Sequence, residues 1–200
     1  MLTSISPLGE RARHNRWSIT VSSYVASSVA AAAGIGLLLG LIGSVAGASL
    51  AERAVMLAVL AVAAAAADGL GAQAPGPRRQ VDEDWLNRYR GWAYGAGFGA
   101  QLGAGVATIV TTATIWLYLA AALVSGAWWL GAAVGAAFGL ARSLPLMGAG
   151  RVRSFSQLQQ RHATLVRVAP LARRVTTSFA AAAAVTLVAV AIAASTAGSS

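Results

Sequence analysis

Few side chains in this 200-residue sequence could do chemistry in an apolar setting, and Gln101, Thr108, Thr112 and Asp68 stand out by position. Gln101 carries both a donor and an acceptor, so it can either bond across to a neighbouring helix or coordinate a solute in a cavity. At 3.6 residues per turn, Gly97, Gln101, Gly105, Thr108 and Thr112 share one helix face, about 90 to 120 degrees from a glycine run on the same segment. Such a face is a candidate solute path. The hydroxyls of Thr108, Thr111, Thr112 and Thr114 can equally return to the backbone one turn earlier. Asp68 is the carboxylate read as nearest an apolar stretch, and at the centre of a bilayer it would cost about 2.5 to 3.5 kcal/mol. Its place ahead of Gly69, Arg78 and Arg79 marks it as a boundary residue, with proton or cation coupling as the alternative.

Other chemistry is excluded by inventory. There is no cysteine, which removes disulfides, thiolate metal sites, thiol nucleophiles and iron–sulfur clusters. His14 and His162 are the two histidines, and they are not spaced as a ligand pair, so neither a metal nor a cofactor is expected. The Asp82, Glu83, Asp84 cluster lacks the glycine-centred spacing and distal glutamate of a calcium loop. Three acids in a first turn complement a helix dipole, and Asp84 lies four residues before Arg88, so the cluster is expected to start a helix. With no acid/base pair, activated nucleophile or metal triad in the spans, no catalytic residue is assigned and the chain is not expected to be an enzyme.

The elements that position these residues follow from composition. Hydrophobic residues make up 57% of the chain and charged residues 10%, with a mean hydropathy of +0.65, which points to a bilayer as the solvent. The net charge of +9 comes from loops flanking apolar runs, where arginine sets orientation and meets anionic lipid, so nucleic-acid binding is not expected. A helix needs about 20 apolar residues to cross the hydrocarbon. Five such windows appear, at about 20 to 47, 53 to 72, 94 to 122, 127 to 142 and 175 to 196. The first is too long for the core of a secretory signal and is expected to be retained. The fold class read here is all-α, a polytopic helical membrane bundle of five transmembrane helices in a single integral membrane domain.

Arginine assigns the sides. Fourteen of the fifteen arginines fall before the first span or in the 73 to 92 and 142 to 174 loops, and only Arg53 falls on the other side. That pattern predicts a multi-pass protein of the cell membrane, with the amino terminus cytoplasmic and the carboxyl terminus outside. Trp17, Trp85 and Trp92 fall at the proposed inner interface, and Trp128 and Trp129 at the outer one. Glu52 and Arg53 read as a surface pair of little energetic weight.

Lipid supplies no hydrophobic drive between helices, so close packing must come from small residues. Gly91, Gly95, Gly99 and Gly103 recur every four residues, as do Gly131, Gly135 and Gly139. These faces predict an antiparallel hairpin of the third and fourth spans, or a face between subunits. Gly36, Gly40 and Ser44 share one face of the first span, and Gly43 and Gly47 another. In the last loop Phe155, Leu158, His162, Leu165 and Ala169 form a stripe, which predicts a cytoplasmic interfacial amphipathic helix broken by Pro170. Arg161, Arg167, Arg173 and Arg174 would meet lipid headgroups or a soluble partner. Two functions fit: a small transporter, permease or channel subunit, or a non-catalytic scaffold in a larger membrane complex. The bilayer and a homo-oligomer or larger complex are the partners implied.

Overall fold

The computed structural model describes residues 5–70, 84–105, 114–151 and 154–197, all helical or connecting. The helices are α1 (Pro7–Ala12), α2 (Trp17–Val45), α3 (Leu50–Gly69), α4 (Trp85–Arg88), α5 (Gly91–Ala104), α6 (Thr114–Val124), α7 (Trp128–Met147) and α8 (Phe155–Ala197), with a 3-10 turn at Gly148–Arg151. Helices α2, α3 and α7 are each long and apolar enough to cross a membrane, and Ile115–Val124 and Ala181–Thr196 are shorter apolar stretches. Thr108 and Thr112, with residues 71–83, lie outside the described residues.

Helix α2 is the axis of the bundle, and its most extensive contacts are to α7 and α5. The reason is steric. A methyl group placed on Gly95 would stand 2.5 Å from the Thr20 carbonyl oxygen, on Gly99 2.1 Å from that of Tyr24, and on Gly103 2.2 Å from that of Ser28. These approaches rise together along both chains, so α5 runs parallel to α2. Farther along the same stripe of α2 a methyl on Gly131 would lie 2.1 Å from the Gly36 oxygen, on Gly135 2.0 Å from that of Ala32, and on Gly139 2.6 Å from that of Ser28. Those approaches run in opposite order, so α7 is antiparallel to α2.

The glycine faces of the third and fourth spans therefore meet the first span rather than forming a hairpin with each other. Ser28 is the crossing point, buried between Gly103 and Gly139, and its hydroxyl donates to the Gly139 carbonyl at 3.1 Å. The stripe on α2 runs Ala32, Gly36, Gly40, Gly43, while the Ser44 hydroxyl is exposed and returns to the Leu41 carbonyl. Gly47 adopts φ +61 in the turn after α2, where only glycine is unstrained.

The expected third span is not one uniform helix. Helix α5 ends at Gly105, whose φ of +74 is a backbone conformation that favours glycine. Helix α6 then covers the upper half of α2: the Tyr118 hydroxyl donates to the Ala32 carbonyl at 3.3 Å, and Tyr118 stacks on Phe138 of α7 at 4.1 Å. The fourth span runs past Arg142 and through Pro145 to Met147. Pro170 likewise does not break the helix, because the 43-residue α8 runs through it and packs along α3. An end at Pro170 would have left four carbonyls without helical partners. A separate interfacial helix is thus replaced by the first part of α8.

At the far end from α1, Ser49 caps α3. Its hydroxyl accepts from the Glu52 amide, and the Glu52 carboxylate accepts from the Ser49 amide at 2.7 Å. Arg53 turns away from Glu52, donating to the Ala48 carbonyl at 2.8 Å and the Val124 carbonyl at 3.3 Å. The expected surface pair is instead a capping box beside a cation that closes the carboxyl end of α6.

Candidate functional site at the arginine-rich end of the bundle

The residues before α2 form a small folded cap. Ser6 accepts from the Gly9 amide at 3.1 Å and Pro7 takes the first helical position, where its missing N–H costs nothing, so a short helix starts there. The turn places Glu10 inward, and the carboxyl group is fully buried. Oε1 accepts from Arg13 at 2.8 Å, Oε2 accepts from the Thr20 hydroxyl at 2.8 Å, and the Tyr94 hydroxyl donates to the same carboxylate. One side chain so ties α1, α2 and α5 together. Burial opposes the charge of Arg13, but its hydrogen bonds to Glu10 and Tyr94 outweigh that, and the guanidinium is held above its ordinary range.

Asn15 continues the network, donating to the Tyr94 hydroxyl at 3.4 Å and accepting from the Gly91 amide at 3.4 Å. Below it lies an apolar cluster of Ile5, Val21, Tyr24, Leu86, Tyr94, Phe98 and Leu146. Trp17 and Trp85 pack against this cluster, and Trp85 stacks on Phe98 at 5.9 Å and closes over Gly97. These two tryptophans are therefore packing residues, whereas Trp92, Trp128 and Trp129 are exposed as interface anchors would be. Asp84 stands directly before the one-turn α4, and α5 begins only after extended Tyr89 and Arg90, so the acidic cluster does not start the long helix.

Between the cap and α5 a cleft of about 280 Å³ opens, lined by His14, Asn15, Arg16, Thr20, Arg90 and Trp92 among others. His14 adopts φ +57, uncommon for a residue with a side chain, to turn the chain from α1 into α2.

The other sequence-derived candidates are dispersed. Gln101 is half-buried on α5, and its flanking glycines are covered, Gly97 by Trp85 and Gly105 by Ile115 and Phe138. Asp68 is buried near the end of α3, a helix whose main contacts run to α8 and α6. Gly91 meets Thr20 and Asn15. Arg167 and Arg174 are exposed on α8. Arg161 and Arg173 also fall on α8, but the placement of their side chains lies outside what is described. Among the described residues, no group of three or more His, Cys, Asp or Glu is placed to hold a metal. Glu10 is the residue sequence reasoning missed. Its signal was Ser6-Pro7 three and four residues upstream, a helix start that turns a carboxylate toward Thr20.

Comparison with known proteins gives one relative of note. The methylamine utilization protein MauF of Paracoccus versutus is 33% identical to this chain over 151 residues, which cover 72% of the chain. The chain spans about half of that relative's length, 55%. No family model matches the sequence. No solved structure matches it.

Proposed function

We propose that this protein is a multi-pass cell-membrane protein that serves methylamine utilization as a non-catalytic accessory subunit. The five passes are α2, α3, α5 with α6, α7 and the apolar part of α8, with the Glu10 cap in the cytoplasm. The observation that carries this reading is the filling of the bundle's centre: α5 and α7 press their backbones onto successive parts of one stripe of α2 and meet at Ser28. A bundle closed in this way is a rigid body suited to presenting surfaces. Its glycine faces are occupied internally, so a partner meets the apolar outer faces, such as exposed Val55, Val59 and Val62 of α3. The name of the 33% identical relative supplies the process.

Two experiments test it. Purification of the tagged chain in mild detergent should yield a stoichiometric membrane partner, and deletion of its coding region should impair growth on methylamine but not on richer media. Unimpaired growth on methylamine overturns the assignment to that process. Transport is the second reading, favoured by the half-buried amide of Gln101. Under it, purified protein in liposomes passes methylamine, and Gln101→Leu abolishes flux while leaving expression intact.

A further inference from the structure

We infer that the cleft between Arg16 and Arg90 binds a phosphate-bearing anion, whose source on this surface is an anionic phospholipid headgroup. The two arginines come from different elements, one ahead of α2 and one ahead of α5, and they line the same cleft with His14. Among the described residues neither arginine is paired with a carboxylate. The acidic group nearest in the network, Glu10, lies buried behind Thr20 and is matched by Arg13, so it does not neutralise the cleft.

Two further features point to the same chemistry. Arg16 and Arg90 occupy the N-cap positions of α2 and α5 and neither caps its helix with its own side chain; Asn15 takes the first amide of α5, that of Gly91, and the positive ends of both helices lie beside the cleft. The cleft is also amphipathic. Ile19 and Trp92, 48% and 57% exposed, form its apolar flank where the helices enter the hydrocarbon. A free phosphate would use only the cationic end, whereas a phospholipid uses both, with its phosphate on the guanidinium groups and an acyl chain against Ile19 and Trp92. A volume of about 280 Å³ admits a glycerophosphate head.

The test is native mass spectrometry of the full chain in detergent, titrated separately with phosphatidylglycerol, phosphatidylcholine and inorganic phosphate. Phosphatidylglycerol should bind at least about tenfold more tightly than phosphatidylcholine. The Arg16→Gln/Arg90→Gln double variant should lose about tenfold, and Arg11→Gln, outside the cleft, should lose nothing. Arg16→Lys/Arg90→Lys keeps the charge and should retain most of the binding, which separates a binding defect from misfolding. Saturable, arginine-dependent binding of inorganic phosphate without preference for the lipid would keep the anion site and assign it a soluble ligand. Equal binding of both lipids by the unaltered protein, with no phosphate binding, overturns the proposal whatever the variants do.

Discussion

Replacing Tyr94 with phenylalanine removes a hydroxyl that donates to a buried carboxylate and accepts from Asn15. Hydrogen bonds to charged groups contribute about 1.5 to 3 kcal/mol, so Tyr94→Phe should destabilise the protein by that amount in denaturant unfolding of the detergent-solubilised chain. Glu10→Gln should cost a similar amount, because a neutral amide cannot accept from Arg13, Thr20 and Tyr94 together. A loss below about 0.5 kcal/mol in both variants would mean that the cap is not held by this cluster. Glu10 was not legible as a site in the sequence. It sits among arginines, where a solvated surface charge is the ordinary reading, and its partner Tyr94 lies 84 residues away. Gln101 shows the reverse: its polarity made it conspicuous, yet the glycines on its stripe are filled by Trp85 and Phe138.

Substitution to alanine at two glycines separates packing from helix propensity. Gly34 has open space around a methyl group, whereas one at Gly135 would stand 2.0 Å from the Ala32 carbonyl oxygen. Both gain up to about 1 kcal/mol in propensity. Gly34→Ala should therefore be neutral or stabilising. Gly135→Ala should lose a net of about 1 to 2 kcal/mol as α7 is pushed off α2, read by SDS-induced unfolding followed by circular dichroism. Equal behaviour of the two variants would contradict the backbone contact. The long apolar windows of α2, α3 and α7 were legible because a bilayer demands length and hydropathy, both local properties of the sequence. Which glycine face meets which helix was not legible, since four-residue spacing says that a face is flat without naming its partner. Gly105 and Pro170 were misread for a related reason: a breaker signals a stop, but whether the helix ends there depends on what packs beside it.

At the scale of the whole molecule, helix direction sorts the charges. Arg13, Arg16 and Arg90 gather where α2 and α5 begin, and Arg142 lies toward the same end on antiparallel α7. Arg53 sits at the opposite end against Val124. Two ends of such different charge in one apolar bundle support the proposed orientation, in which the arginine-rich end stays in the cytoplasm. The absence of cysteine makes this directly measurable. Single cysteines placed at exposed Ala12, the last residue of α1 shortly before α2, and at exposed Ala46, directly after α2, would be probed with a membrane-impermeant maleimide in intact cells. The account predicts that Ala46→Cys is labelled at once and Ala12→Cys only after lysis; labelling of both in intact cells, or of Ala12→Cys alone, would contradict it.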